Sequence, residues 1–352
     1  MNIAVYISGH GFGHLAQMAP VLNRIHALKP ECRFLIRSAL PYDEIDSRLD
    51  FDFELESTDT DVGVVQKSAI EEDREASIVR MRRWVDALER QIARETSLLR
   101  SFAPSVVVSN ISPLAFPAAQ SLEIPNIGLA TLDWHTIYAH WLAPDDPVIE
   151  KLAQAYAACD LLLTPPMAMD MGLFPVRRQI GLIAAQPAAI PDPAGDTERK
   201  RALVLFGGCA HPPFDMAALA AMDEWLFLMP GCPAGAPDNV QAVHFGNGLR
   251  AVDVMPLVDV VVCKPGYGVL SECWSCSRPI AWVERPDFPE FPMLKRWLDE
   301  CMPAAGMSRS DFRHGNWLAA LQAASSHGRK FPLIDSDGAH QAADIILSCG
   351  AG

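Results

Sequence analysis

Residues 3–14 read Ile-Ala-Val-Tyr-Ile-Ser-Gly-His-Gly-Phe-Gly-His. An apolar run, a glycine-rich turn and then apolar residues at helical spacing from about Leu15 to Leu28 predict a buried strand, a tight turn and a helix. Short apolar runs that predict further strands span 33–37, 105–109, 126–130, 161–164, 202–206, 226–228, 240–244, 258–263 and 280–283. Apolar strands separated by helices indicate parallel sheets with helices on both faces. The predicted class is therefore α/β and doubly wound.

The length of 352 residues predicts two domains, at roughly 150 residues each. Residues 184–196 are rich in proline and show little apolar periodicity, and the charged residues 198–201 then precede a new strand. We therefore predict an N-terminal Rossmann-like domain over 1–186, a linker over 187–200 and a second Rossmann-like domain over 201–352.

Net charge and cysteine content disfavour some classes of binding partner and favour one cellular compartment. The net charge is −14 and the pI is near 5.1, which disfavours nucleic acid and polybasic attachment to membranes. The nine cysteines are an odd number and are scattered, which favours reduced thiols and a cytoplasmic location, and Cys273 and Cys276 are expected to be inert. No signal peptide and no transmembrane segment are expected, while peripheral contact with a membrane through an apolar patch is left open.

Two stretches of the first domain have predictable packing. The acidic run 43–61 is expected to be a solvated loop with a short strand, because it lacks the ligand spacing of a calcium loop. A long amphipathic helix is predicted to pack on the sheet. Its apolar face consists of Ile78, Met81, Val85, Leu88, Ile92 and Leu99.

The first glycine turn has several chemical interpretations. A dinucleotide fingerprint would need glycine at residue 14, which is histidine. His10 and His14 are spaced to share a metal ion, but no third ligand is near in sequence. His14 is then either a general base at a strand-to-helix turn or a structural histidine.

A second strand-to-helix turn follows the strand ending at Cys263. Gly266 and Gly268 leave backbone N–H groups free to hold a diphosphate, Lys264 adds a positive charge, and Glu272 is placed to accept hydrogen bonds from a ribose. No Walker A sequence is present, and a purely structural turn is the alternative. The glycine pair at 207–208 and the proline-rich acidic segment 286–292 also follow strand ends, where ligands bind in doubly wound sheets.

Taken together, four motifs of this sequence resemble the glycosyltransferase-like domain of L-arabinokinases and, more widely, the MurG-type family 28 glycosyltransferases. These motifs are residues 9–14, 264–272 and 285–292 and the tripeptide Ile137-Tyr138-Ala139. The resemblance covers nearly the whole chain and does not extend to the kinase activity. The resemblance implies a GT-B fold, in which two Rossmann-like domains face each other across a cleft. It also implies that a sugar is transferred from a nucleotide diphosphate, with UDP favoured, to an acceptor hydroxyl. This transfer would invert the anomeric configuration and need no metal ion. No cofactor is implied.

The resemblance also implies roles for individual residues. His14 takes the place of the base, and Gly11, Gly13, Trp134 and His135 lie on the acceptor side. The residues implied to bind the donor are Gly207, Gly208, Phe245, Lys264, Gly266, Tyr267, Gly268, Glu272 and Glu290.

Two positions depart from that family pattern. Relatives often carry an aspartate where Asn110 stands, so Asp133 or His135 is expected to compensate, and Asn110 and Asp133 join His14 as catalytic candidates. Cys209 replaces a serine that would face the diphosphate. Two further functions stay open, an epimerase or hydrolase acting on a nucleotide sugar and a non-catalytic module that binds one.

Overall fold

The structure, a computed structural model, describes residues 1–195, 197–206, 214–232, 234–246, 248–326 and 331–351. They form two compact units. Unit 1 comprises Met1–Val65, Asp73–Ala184 and Ile334–Gly352, and unit 2 comprises Gln66–Glu72 and Ala185–Leu333.

The strands are β1 (Asn2–Ile7), β2 (Arg33–Ser38), β3 (Glu54–Ser57), β4 (Gln66–Ser68), β5 (Glu71–Glu72), β6 (Val106–Asn110), β7 (Asn126–Leu129), β8 (Leu161–Thr164), β9 (Arg177–Gln179), β10 (Lys200–Leu205), β11 (Trp225–Pro230), β12 (Val240–Val243), β13 (Val260–Cys263), β14 (Ile280–Val283) and β15 (Ala304–Met307). The α-helices are α1 (Gly13–Leu28), α2 (Tyr42–Asp46), α3 (Arg74–Asp86), α4 (Leu88–Phe102), α5 (Ala115–Gln120), α6 (Trp134–Ala139), α7 (Pro147–Ala157), α8 (Ala251–Val254), α9 (Tyr267–Ser275), α10 (Phe291–Cys301), α11 (Arg309–Arg313), α12 (Leu318–Ser326) and α13 (Gly338–Gly350).

Unit 1 contains a parallel sheet with the strand order β3-β2-β1-β6-β7-β8-β9. The order reverses between β1 and β6, and in doubly wound sheets ligands bind beyond the carboxyl ends of the strands at such a point. Ser8 follows β1 there, and Asn110 is the last residue of β6. The backbone N–H of Ser8 donates to the carbonyl of Asn110 (2.8 Å), which joins the two strand ends.

Unit 2 repeats this topology with the order β12-β11-β10-β13-β14-β15, again parallel throughout. Its strands β13 and β14 are apolar and fully buried, and β11 is buried except at Pro230, as expected for strands covered on both faces. The order reverses between β10 and β13, so the predicted diphosphate turn after Cys263 lies at the corresponding point. The predicted α/β class and the ten predicted strands are confirmed.

The predicted amphipathic helix consists of two helices, α3 and α4, which meet at Ala87. The side-chain amide of Gln91 donates to the carbonyl of Trp84 (3.0 Å), and this compensates for the interrupted backbone ladder. Ile92 and Leu99 pack with Tyr6 of the sheet. Packing on the sheet is thus confirmed, whereas the prediction of a single helix is wrong.

Two segments belong to a different unit from the one that their place in the chain suggests. The hairpin β4–β5 comes from within the first domain, yet Ala69 and Ile70 are buried in the core of unit 2. The ion pair of Glu72 with Arg285, both nearly fully buried, also holds the hairpin there. Conversely, α13 joins unit 1, where Gln341 accepts a hydrogen bond from the backbone of Gly181 (2.8 Å). The predicted domain limits, which put β4–β5 in the first domain and α13 in the second, differ from the structure here.

Apart from the boundaries of the hairpin and of the segment with α13, the chain passes from unit 1 to unit 2 at residues 184–185, slightly before the predicted linker. Among the described residues, no helix is both long and apolar enough to cross a membrane.

Candidate functional site

The turn between β1 and α1 is open on its outer side. Gly11 has φ +76°, a backbone conformation that favours glycine. A Cβ added at Gly11 or Gly13 would meet no described heavy atom within 4 Å. Phe12, the N-cap residue of α1, supplies no side-chain cap. The predicted acceptor-side glycines therefore border free space at the helix N-terminus.

His14 lies in the first turn of α1 and is 7% exposed. Its Nδ1 is 2.6 Å from Oδ1 of Asn110, and the Asn110 amide donates to Oε1 of Gln17 (2.9 Å). Gln17 in turn donates to the hydroxyl of Thr131 (3.2 Å). Since the Asn110 oxygen can only accept, Nδ1 of His14 must carry the hydrogen, and Nε2 is left with a free lone pair.

The protonation state of His14 suits a base. Burial lowers the pKa of His14, and the hydrogen bond to Asn110 opposes that effect only in part. The imidazole is therefore neutral at neutral pH and able to take a proton on Nε2. The structure thus brings together two of the three predicted catalytic residues, His14 and Asn110.

Asp133, the third predicted catalytic residue, makes its hydrogen bonds elsewhere. It is the N-cap of α6, and its two carboxylate oxygens accept from the backbone N–H and the hydroxyl of Thr136, both at 2.7 Å. Burial raises the pKa of Asp133 to about 6. Asn110, not Asp133, is the residue hydrogen-bonded to His14.

Trp134 packs against both histidines of the glycine turn. Its ring centroid is 5.9 Å from that of His14 and 5.3 Å from that of His10, and the side chain is fully buried. His10 accepts a hydrogen bond from the backbone of Val64 (3.2 Å). His10 therefore helps to hold the glycine turn in place. Among the described residues, no group of three or more His, Cys, Asp or Glu side chains could hold a metal ion.

His135 borders a cavity of about 360 Å³ in unit 1. It is half-buried, burial lowers its pKa, and its Nδ1 is buried without a hydrogen-bond partner. The other lining residues are Thr136, Ala139, His140, Asp170, Gly172 and Leu173. The lining residues 135–140 belong to α6 or follow it, and α6 also carries Trp134, which packs on His14.

Asp61 is a residue of this site that sequence reasoning missed. It ends the acidic run expected to be a solvated loop, yet it is only 5% exposed, and its Oδ1 accepts from the hydroxyl of Ser8 (2.9 Å). Burial raises the pKa of Asp61 to about 6, while Trp134 and Ser8 lower it. Oδ2 of Asp61 and Nε1 of Trp134 are both buried and make no hydrogen bond of ordinary geometry, but the indole lies close enough to the carboxyl to lower its pKa. The sequence signal for burial was the short strand expected within this run, which is β3.

The second predicted turn lies at the carboxyl end of β13. Gly266 is the N-cap of α9 and offers no side chain, so the first N–H groups of the helix are not capped by it. Glu272 lies on α9 and is 8% exposed, and Tyr267 and Gly268 are buried in its first turn. Lys264 links strand and helix, so five predicted donor-side residues share one short segment.

The remaining donor-side candidates lie at other strand ends or outside the described residues. Glu290, 6% exposed, directly precedes α10 after the neighbouring strand β14. Phe245 follows β12 at the edge of the same sheet, in a loop closed by reciprocal hydrogen bonds between Gly246 and Leu249. Gly207 and Gly208, and also Cys209, lie outside the described residues.

The thiols of Cys273 and Cys276 have raised pKa values, caused mainly by burial. A raised thiol pKa disfavours the reactive thiolate, as expected for inert cysteines.

The chain is similar to known structures over nearly its whole length. The calicheamicin glycosyltransferase CalG4 covers 99% of this chain and 94% of its own, with a TM-score of 0.64 and 14% identity. The glycosyltransferase VinC in complex with dTDP covers 100% of this chain and 96% of its own, with a TM-score of 0.58 and 14% identity. The chain has the GT-B fold. The GT-B prediction is confirmed.

Among curated proteins, an L-arabinokinase of Arabidopsis thaliana is 24% identical over 339 residues, which are 92% of this chain. The chain spans about a third of that enzyme's length (32%). No family model matches the chain. The predicted resemblance to L-arabinokinase is thus confirmed. The assignment to the MurG-type family stays a prediction.

Proposed function

We propose that this GT-B protein is an inverting glycosyltransferase that moves a sugar from a nucleotide diphosphate, with UDP favoured, to an acceptor hydroxyl bound by unit 1. The observation that carries the proposal is the state of His14. The series of hydrogen bonds from Thr131 through Gln17 and Asn110 puts the hydrogen on Nδ1 and leaves Nε2 as a neutral base.

The chemistry is a single displacement. Nε2 of His14 takes the proton of the acceptor hydroxyl while its oxygen attacks the anomeric carbon of the donor sugar. The bond from that carbon to the diphosphate oxygen breaks, and the diphosphate leaves with the bonding electrons. One displacement inverts the anomeric configuration, and the imidazolium later loses its proton to solvent.

The leaving diphosphate needs stabilisation of its negative charge. The first turn of α9, with Gly266 at its N-cap, presents N–H groups and the positive end of the helix dipole. Lys264 adds a formal positive charge next to that turn. These groups would bind the diphosphate without a metal ion, and the dTDP complex of VinC, a structural neighbour, supports a nucleoside diphosphate ligand.

Glu272 and Glu290 would hold the rest of the donor. A carboxylate accepts two hydrogen bonds from a vicinal diol. Glu290 lies between the carboxyl end of β14 and α10, and Glu272 lies in the second turn of α9, the helix that follows the carboxyl end of β13. We assign Glu272 to the ribose and Glu290 to hydroxyls of the sugar. On the acceptor side, Trp134 and His135 would border the acceptor, with the cavity beside α6 as its outer part.

The donor site is tested by thermal unfolding with UDP, GDP, dTDP and their sugars. A ligand at about 100 times its Kd stabilises by about 2.7 kcal/mol, which is a shift of several degrees. We expect a shift with one nucleotide class that Glu272→Ala abolishes. The matched control is Glu300→Ala, which removes an exposed acid at the end of α10 in the same unit and should keep the shift. No shift with any nucleotide would contradict the proposal.

The role of His14 is tested by turnover. His14→Gln should abolish transfer, a loss of about 10²-fold or more, while keeping the nucleotide-induced thermal shift, because the donor residues lie in unit 2. Product formed from the donor alone would indicate an epimerase or hydrolase. Donor binding without product from any acceptor would indicate a binding module, the alternative that the neutral Asn110 favours.

A further inference from the structure

The hydrogen-bond partner of the His14 ring is an amide, which accepts on one side and donates on the other. In the observed orientation, Oδ1 of Asn110 accepts the hydrogen on Nδ1 of His14. Turned over, Asn110 would present its NH2 group, and His14 would then accept on Nδ1 and carry its hydrogen on Nε2. A carboxylate has no such wrong orientation, because both of its oxygens accept. The basic form of His14 therefore depends on what orients Asn110.

Gln17 makes the contact that distinguishes the two orientations. It lies on α1, three residues after His14, and its Oε1 accepts from the amide of Asn110 at 2.9 Å. Turning Asn110 over by itself would bring two acceptor oxygens against each other. Asn110 is fully buried and Gln17 is 4% exposed, so the loss of this hydrogen bond would leave buried polar groups unpaired.

Thr131 in turn contacts Gln17. The Gln17 amide donates to the hydroxyl of Thr131 at 3.2 Å, and Thr131 is 1% exposed. Its backbone carbonyl accepts from Met169 (2.8 Å), in the segment between β8 and β9. Because a hydroxyl donates as well as accepts, the arrangement that competes with the observed one reverses all three side chains together. It would put the hydrogen of His14 on Nε2, so the tautomer of His14 reports the direction of the series.

We propose that Gln17 is a positioning residue that orients the Asn110 amide and thereby keeps the hydrogen of neutral His14 on Nδ1. The proposal rests on the proposed role of His14 as the base, because only this tautomer leaves Nε2 free to take a proton. It also implies that Gln17 is needed only while residue 110 is an amide. With aspartate at position 110, either carboxylate oxygen accepts from Nδ1, and Gln17 becomes dispensable for the tautomer.

The test is histidine NMR of the full chain labelled with ¹⁵N, because an imidazole nitrogen that carries a hydrogen is distinguished by its ¹⁵N chemical shift from one that does not. The His14 signals are assigned by their loss in His14→Gln. A pH titration of these signals shows where His14 becomes neutral in each protein, and the tautomer is read above that pH. In the wild-type protein we expect the hydrogen on Nδ1.

The variants of Gln17 separate its acceptor from its bulk. Gln17→Met keeps an unbranched side chain but removes both polar atoms. It should lower the ratio of the Nδ1–H to the Nε2–H form by about three- to ten-fold, as expected for the loss of one hydrogen bond between neutral groups. Gln17→Glu keeps an acceptor for the Asn110 amide and should keep the Nδ1–H form. The control is Gln120→Met, at an exposed position that ends α5 in the same unit, which should leave the His14 signals unchanged.

A double substitution separates orientation of the amide from a general loss of structure. Asn110→Asp combined with Gln17→Met should keep the Nδ1–H form as fully as Asn110→Asp alone, a non-additive result. An equal fall of the ratio in both backgrounds would overturn the proposal, and so would an unchanged ratio in Gln17→Met.

Hydrogen on Nε2 in the wild-type protein would also overturn the proposal, and that measurement does not depend on the folding of any Gln17 variant. The tautomer is measured without substrate. Its failure is therefore distinguishable from a failure of the transferase proposal, which the turnover of His14→Gln decides.

Discussion

Replacing Asp61 by Asn should change how stability depends on pH. The carboxyl is fully buried, and its pKa is about 6 in the folded state against 3.8 for the ordinary group. The folded state therefore holds the proton more tightly than the unfolded chain does. Ionisation of Asp61 destabilises the fold progressively as the pH rises from about 4 to above 6, and this destabilisation is complete at pH 8.

The magnitude follows from the two pKa values. Each pKa unit corresponds to about 1.36 kcal/mol, so linkage predicts that the wild-type protein loses roughly 2 to 3 kcal/mol between pH 4 and pH 8 through this group. The amide that replaces the carboxyl in Asp61→Asn does not titrate. Any constant cost of that amide beside the Trp134 indole is the same at each pH, and it cancels when the two pH values are compared.

The assay is urea unfolding followed by tryptophan fluorescence, for wild type and variant, at several pH values away from the pI near 5.1. The stability of Asp61→Asn relative to wild type should rise by that amount from the lowest pH to the highest. Asp59→Asn should show no such trend, because its exposed carboxyl is solvated in both states. A stability difference that does not vary with pH would refute the burial of an unneutralised carboxyl at this position.

Three further substitutions give expected outcomes. Asn110→Asp should raise the pKa of His14 by about 1 to 3 units, because it puts a carboxylate in hydrogen-bond contact with the imidazole, and the histidine NMR titration measures it. Glu72→Gln should destabilise unit 2 by about 3 to 5 kcal/mol in urea unfolding, because the buried Arg285 loses its charge partner. Gly63→Ala should lower the melting temperature, because φ is +53° and the added Cβ would lie 2.5 Å from an imidazole atom of the glycine turn.

The ion-pair prediction has a control in the same hairpin. Glu71 pairs with Arg313 at 2.6 Å, but both side chains are more than one-third exposed. Glu71→Gln should therefore cost less than about 1 kcal/mol. Equal effects of Glu71→Gln and Glu72→Gln would contradict the inference that burial of the Glu72 pair matters.

The central strands could be predicted from the sequence because they are buried on both faces and read as continuous apolar runs. The strands that were missed lie elsewhere. β9 and β15 are edge strands of their sheets, and β9 is exposed, so its residues Arg177–Gln179 lack an apolar run. The short strand expected within the acidic run 43–61 corresponds to β3, Glu54–Ser57. The break at Ala87 has no proline or glycine to mark it, and its compensation by Gln91 is a tertiary detail.

The candidate site was predictable where it lies within a turn. Glycine spacing after a strand indicated both His14 and the segment 264–272. It could not indicate Asp61, because its burial depends on contacts with Ser8 and Trp134, which are distant in sequence. Asp133 could not be separated from Asn110 as the partner of His14 either, because both follow predicted strands.

The hairpin β4–β5 has a consequence for attempts to divide the protein. A fragment that ends at residue 184 would carry Ile70, which is fully buried in unit 2, on a hairpin without its binding surface. The complementary fragment would leave Arg285 buried without Glu72 and would take α13 away from unit 1. Neither fragment contains all the residues of one compact unit. Donor-binding studies on an isolated second half would need the hairpin grafted back, and swaps between homologues would have to exchange the hairpin and the last helix as well as the segment after residue 184.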